Sequence, residues 1–214
     1  MIGLIIDLHI HSKPKSPCSS ITPREIIDEA QRIGLDGICF VEHDLLWTDE
    51  EITALRKESG FLVLKGYEIS SLDGHFLAFG YEKVLEPFLE LIEIRKLHDP
   101  QHGFLAIAHP FREFLVVGVN EIGLSVEVEA GKPIFKLVDG IEVMNGRVSK
   151  KANKFAKQVN SIVRLKELGG SDAHELYEVG KVVTEFNTTS ITNEADLVRE
   201  LKTGNYSVKY FREE

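Results

Sequence analysis

The feature that most constrains this chain is an apolar run, Ile2-Gly3-Leu4-Ile5-Ile6, that leads directly into Asp7-Leu8-His9-Ile10-His11-Ser12. Its apolar side chains follow one another without helical spacing, so Ile2 to Leu8 is predicted to be a buried strand. Alternation along a strand sends His9 and His11 to the same side, and two imidazoles converge at its C-terminal end. Imidazole is the commonest metal ligand among side chains and changes charge near neutral pH, so such a pair suits either a transition metal or proton transfer. Taken alone, the pair also fits two partly buried structural histidines.

With 214 residues, 43% of them hydrophobic, the chain has the material for one sizeable core, and a single domain over 1–214 is expected. Lys and Arg total 25 against 34 Asp and Glu, a net charge of −9, and no block of basic residues occurs. That balance argues against a strong nucleic-acid surface but allows a small phosphorylated substrate, because bound metal ions supply positive charge locally. No apolar run reaches the roughly 18 residues of a membrane span, and no basic segment precedes an apolar leader, so a cytoplasmic protein without a membrane partner is expected. Cys18 and Cys39 are too few for a disulfide framework and are expected to be reduced. Oligomeric state is not encoded in any pattern here.

Strands are predicted at 2–8, 37–41, 61–67, 76–79, 104–108, 140–144, 163–168 and 181–185. The clearest helix follows Thr22-Pro23-Arg24-Glu25, where Thr22 caps, Pro23 suits the first turn and Glu25 completes a capping box, with Gly34 as a left-handed stop. Further helices are expected at 49–58, 85–97, 149–160 and 193–202. Strands alternating with helices indicate an α/β fold on a mainly parallel sheet. Residues 113–138, mixed apolar and acidic with three glycines, are the least readable part and form a candidate excursion or flap beside a site.

Six of the eight histidines stand at or just beyond these strands: His9, His11, His43, His75, His109 and His174. The carboxylates Asp7, Glu68 and Asp172 accompany them. In a closed parallel barrel the C-terminal strand ends share one face, where active sites of such barrels are built, so residues distant in sequence would converge there. Several imidazoles crowded with carboxylates are costly to bury without compensating cations. Nitrogen and oxygen donors without a cysteine tetrad point to two or three ions of Zn²⁺, Mn²⁺ or Fe.

Asp7-Leu8-His9-Ile10-His11, Val41-Glu42-His43-Asp44, Gly66-Tyr67-Glu68-Ile69-Ser70 with Gly74-His75, Ala108-His109-Pro110 and Gly170-Ser171-Asp172-Ala173-His174 together resemble the motifs of the polymerase and histidinol phosphatase (PHP) family. The resemblance implies a distorted (β/α)₇ TIM-like barrel with a metal site at the C-terminal strand ends and hydrolysis of phosphate esters, monoesters or diesters, by a di- or trinuclear centre that activates water. It implies that His9, His11, Glu68 and Asp172 hold one metal and Glu68, His75 and His109 a second, while His43 and His174 hold a third. His174 is also a candidate proton donor to the leaving oxygen, and Asp7 a candidate to orient a ligating imidazole. Two departures stand out: Glu42 replaces the family's Asp before His43, and the loop after the first motif offers Cys18 where the family often has Asp or His. Cys18 is either a thiolate ligand or a buried inert thiol.

Arg112, three residues after His109, and Arg147, beyond Met144-Asn145-Gly146, are candidate phosphate clamps, with exposed surface arginines as the alternative. Asn145 is either a substrate contact or a turn residue, Trp47 either an aromatic wall or loop packing, and Lys13 and Lys15 either local positive charge or solvated lysines. His98 and His102 read as a polar connection outside the site. Two other readings stay open: an amidohydrolase-like enzyme, and a catalytically silent metal-binding or regulatory module.

Overall fold

The computed structural model describes residues 3–112 and 125–212. Nine strands form one sheet: β1 (Leu4–Ile10), β2 (Gly37–His43), β3 (Leu62–Ser71), β4 (Gly74–Phe79), β5 (Phe104–Ile107), β6 (Gly140–Asn145), β7 (Lys166–Gly170), β8 (Val182–Phe186) and β9 (Tyr206–Tyr210). Their spatial order is β7-β6-β5-β4-β3-β2-β1-β8-β9. The sheet curls into a nearly closed barrel because the chain just beyond β7 returns to β1: Asp172 N donates to His9 O at 2.7 Å and His11 N to Ala173 O at 3.0 Å. That seam needs Gly170, since a Cβ there would lie 2.4 Å from the Cβ of His9. The expected α/β barrel is therefore present.

Its sheet is mixed rather than mainly parallel. The pairs β1–β2, β2–β3, β5–β6 and β6–β7 are parallel, but β4 lies antiparallel between β3 and β5, and β8 antiparallel between β1 and β9. The reason is local: β3 and β4 are joined by only Leu72 and Asp73, and a connection that short can only reverse the chain, whereas a parallel return needs a crossover of about a dozen residues.

The described residues also form six α-helices: α1 (Pro23–Ile33), α2 (Asp49–Ser59), α3 (Leu91–Leu97), α4 (Val126–Ala130), α5 (Lys150–Val163) and α6 (Glu194–Thr203). Helix α1 has the expected capping box from Thr22 and Glu25 and ends at Gly34 with φ 84°. Helix α3 is shorter than the predicted 85–97. Pro87 disfavours helical backbone at Glu86, and Phe88 adopts φ 62°, so the helix can begin only after Glu90. Helix α5 runs to Val163 and stops at Arg164 with φ 60°, which delays β7 to Lys166. Of the candidate flap at 113–138, residues 113–124 lie outside the described residues; the remainder is α4 and a 3-10 turn at Pro133–Lys136 that packs Phe135 and Val138 into the core.

Amphipathic faces assemble this core. Ile26, Ile27 and Ala30 of α1 meet Ile38 and Phe40 of β2. Ala152, Ala156 and Val159 of α5 meet Ile141 and Val143 of β6. Leu197, Val198 and Leu201 of α6 meet Ile6, Leu64, Leu77 and Phe104. Each fully buried aliphatic or aromatic side chain of this kind contributes roughly 1.5–3 kcal/mol of transfer free energy, which keeps the strand ends at fixed positions. No helix among the described residues is long and apolar enough to cross a membrane.

Candidate metal centre

Five imidazoles, from β1 and the residue just beyond it, β2, β4 and the turn after β5, surround one carboxylate of β3. Glu68, near the C-terminal half of β3 and 1% exposed, presents Oε1 to His75 Nδ1 at 2.8 Å and His109 Nε2 at 2.9 Å. Its Oε2 faces His9 Nε2 at 3.5 Å, His11 Nε2 at 3.2 Å and His43 Nδ1 at 3.2 Å. Asp172 completes the arrangement, with Oδ1 3.6 Å from His9 Nε2 and 3.5 Å from His11 Nε2. The donor atoms fall into overlapping sets: His9, His11 and Asp172; His9, Glu68 and His109; His43, Glu68 and His75; His11, His43 and His174. All eight residues expected to form a metal centre are thus brought together.

Hydrogen bonds around the two inner rings fix the tautomer of His9 and the orientation of His11. His9 Nδ1 lies 2.9 Å from Glu142 Oε1, and a carboxylate can only accept, so Nδ1 carries the proton and the Nε2 lone pair points at the cluster. His11 Nδ1 is held by Ser16 Oγ at 3.3 Å, again leaving Nε2 directed inward. The two Nε2 atoms are 3.1 Å apart and face the carboxylate oxygens of Glu68 and Asp172. Glu68 Oε2 is buried and has no conventional hydrogen-bond donor among the described residues. A ring of lone pairs and negative oxygens pointing at one another is stable only around positive charge, so the donor set fits bound cations.

The ionisation equilibria express the same demand. In the metal-free chain burial pushes His9 down, but Glu142 and Glu68 override it and raise the ring to about 10, so Nε2 offers its lone pair only when a cation takes the place of its proton. Burial, together with the charges of His9 and His43, drives His11 down to about 3. Burial also opposes ionisation of Glu68, yet the surrounding imidazoles of His109, His11, His75 and His9 hold it well below the ordinary carboxylate range.

Backbone geometry helps aim these groups. Asp44, His109 and Asp172 adopt φ values of 48°, 27° and 57°, a region that side-chain-bearing residues seldom occupy. Their turns are clamped: Asp44 N donates to Glu68 O at 2.9 Å, His109 N to Glu142 Oε2 at 2.8 Å, and Asp172 N to His9 O at 2.7 Å.

Glu142 of β6 went unread in the sequence. It braces both His9 and the turn of His109, and Asn145 Nδ2 links it, at 3.0 Å, to Asp172 Oδ2, at 3.1 Å. Its signal was a single carboxylate at a strand position flanked by Ile141 and Val143, which must find a partner if that strand is buried. Asn145 therefore supports the cluster in addition to receiving Arg147 N at 2.9 Å in its own turn.

Several expectations need correction. Asp7 does not orient an imidazole; it accepts backbone amides, Ser171 N and Gly180 N at 2.9 Å and His9 N at 3.3 Å, and so ties β1 to the segment after β7. Its burial raises the carboxyl to about 6. His174 Nδ1 lies 2.8 Å from Asp172 O, and burial with Arg147 nearby lowers the ring to about 4. Its Nε2 then carries a lone pair, the form of a ligand. Cys18 is neither buried nor grouped with any candidate donor set; it is exposed on its loop, and its thiol is raised by partial desolvation.

The remaining candidates divide. Arg112 enters the centre, ion-paired with Asp172 Oδ2 and with Nη1 3.4 Å from His109 Nε2. Arg147 stands at the rim, Nε 3.3 Å from Glu178 Oε1, whose other oxygen receives His174 N at 2.9 Å. Trp47 is loop packing: it stacks on Phe40 and donates Nε1 to Glu42 Oε1 at 3.0 Å. Glu42 also receives Ser12 N and Oγ, so the residue that departs from the family pattern braces the first motif. Lys15 pairs with Glu51 and covers the Trp47 ring. His98 is buried against Tyr81 and Asp139, away from the centre.

The chain is similar in sequence or in fold to several known proteins. A family model described as PHP-associated matches residues 150–206. An uncharacterized protein of Methanocaldococcus jannaschii is 30% identical over 154 residues, covering 65% of this chain and 80% of the relative. In fold, the chain is similar to a two-domain protein of Bacteroides vulgatus containing a predicted PHP-like metal-dependent phosphoesterase, with TM-score 0.69, 23% identity and coverage of 97% of this chain and 65% of that one. It is also similar to an amidohydrolase of Chromobacterium violaceum, with TM-score 0.61, 18% identity and coverage of 97% and 98%.

Proposed function

The chain belongs to the PHP family, and from that premise we propose that it is a metal-dependent phosphoesterase acting on small phosphorylated substrates. The observation that carries the reading is the approach of His9 Nε2 and His11 Nε2 to 3.1 Å beside the buried oxygens of Glu68 and Asp172, an arrangement that calls for cations. His9, His11, Glu68 and Asp172 would hold one ion, Glu68, His75 and His109 a second, and His43 with His174 a third. When bound, Zn²⁺, Mn²⁺ or Fe ions polarise phosphoryl oxygens and make hydroxide available from water near neutral pH.

The chain's own residues supply position and charge. Arg112 shields Asp172 and offers a planar guanidinium at the edge where His75 and His109 open to solvent, suited to two phosphate oxygens. Arg147 adds a second guanidinium beside His174, and Glu178 steadies both. Glu142 keeps His9 in the tautomer that presents Nε2, and Ser16 holds the His11 ring with its Nε2 directed inward. Glu68 fills the centre between the imidazoles, the position that a modified lysine would need in an amidohydrolase-like alternative.

The test is elemental analysis of gently purified protein combined with assays of an aryl phosphate, an aryl phosphodiester and an aryl amide in the same preparation. Two or three equivalents of metal with metal-dependent ester hydrolysis is the expected result. Amide hydrolysis alone favours the amidohydrolase-like reading, and no metal with no turnover after adding Mn²⁺ or Zn²⁺ leaves a silent module.

A further inference from the structure

A groove of about 860 Å³ opens directly from the candidate metal centre, sharing His75, His109 and Arg112 with it. Leading away from those residues, one wall is apolar: Leu91, Ile107, Phe111 and Phe135 are buried, while Leu72 and Ile92 at the lip are 68% and 43% exposed. The volume is in the range of sites that enclose organic molecules of drug-like size, roughly 300–1,000 Å³. Two large aliphatic side chains left in water next to buried apolar neighbours mark a surface that gains by being covered.

Charge narrows what covers it. The two cations of the groove are engaged, Arg112 with Asp172 and Lys132 with Glu129 at 2.7 Å. Asp73 and Glu90 add two further carboxylates along the same lining, and Asp73 Oδ2 is fixed by Leu91 N at 2.7 Å. A second phosphate lying in the groove would meet this negative excess, so a polynucleotide strand is disfavoured there.

We infer that this groove is the subsite for the alcohol portion of the substrate, and that it selects phosphate esters of an uncharged, apolar or aromatic alcohol over esters of small polar alcohols and over oligonucleotides. The inference rests on the phosphoesterase reading and adds the substrate class to it. Phosphate sits at the end bounded by His75, His109 and Arg112, and the ester bond directs the organic group along Ile107 and Phe135 toward Leu72 and Ile92.

The test compares 1-naphthyl phosphate, glycerol phosphate and a short oligonucleotide with the full chain loaded with Mn²⁺, by direct binding and by turnover. The naphthyl ester is expected to show Kd and KM about tenfold below those of glycerol phosphate, in proportion to the apolar surface it buries. The double variant Leu72→Ser/Ile92→Gln, which alters exposed positions only, should remove most of that ratio by raising the naphthyl ester's Kd and KM; Phe135→Leu checks the inner wall. Equal values for the two monoesters, preference for the oligonucleotide, or a folded double variant with the ratio intact overturns the groove assignment alone. Turnover of none of the esters overturns the phosphoesterase reading and takes the assignment with it.

Discussion

The two sides of the histidine cluster are built differently. On the inner side, His9 and His11 are fully buried, and each has its outward ring nitrogen tied, His9 to Glu142 and His11 to Ser16. On the outer side, His43 and His75 have side chains 31% and 40% exposed and meet the cluster through Glu68. The inner side therefore holds its geometry before any ion arrives, because rings locked by buried hydrogen bonds lose little freedom on ligation. The outer side acquires its order from whatever binds. Tight and loose ion sites in one centre are the expected consequence.

The most disruptive way to break this asymmetry is Glu68→Ala, since that carboxylate serves both sides. Metal content should fall on both, and turnover by on the order of a thousandfold or more, measured with elemental analysis and steady-state kinetics while circular dichroism reports an intact barrel. Glu142→Gln strikes the inner side only and should weaken its tightest ion roughly 10–100-fold in a chelator competition.

The same variant has a pH signature in metal-free protein. His9 is raised above its unfolded value to about 10, so its contribution to stability is complete below about 6.5 and is lost as pH rises through 10. Urea unfolding at pH 6, 8 and 10 should show the natural sequence losing stability across that window and Glu142→Gln losing much less.

His75→Ala touches only the outer side. It should release one weakly held ion and lower turnover by about tenfold, with the inner ion retained; loss of every ion would contradict the asymmetry. At the small end, Cys18→Ser should change unfolding free energy by no more than about 0.5 kcal/mol and leave metal content unaltered, because the thiol is exposed and apart from every donor set.

The parts of the centre legible in the sequence were those where a histidine or carboxylate terminates an apolar strand, as at His9, His43, Glu68 and His109. An apolar run announces the strand, and the polar residue at its end marks the face. Glu142 was illegible for the converse reason: it stands within its strand, and nothing local reveals that His9, distant in the chain, supplies its partner. Asp7 was misread because its neighbours suggested ring contacts, while its bonds go to amides of Ser171 and Gly180 that only the closed barrel brings near. The short edge strand β9 gave no signal because its residues alternate only weakly between half-buried and exposed.

The link from Asp7 to Ser171 spans 164 residues of sequence. His9 and Asp172, flanking that link, stand about as far apart, so loop-closure entropy must be overcome across most of the chain before the inner ion site exists at all. On the proposed reading, capture of an ion by His9, His11 and Asp172 would therefore come late in folding and would stabilise a barrel already closed rather than nucleate it.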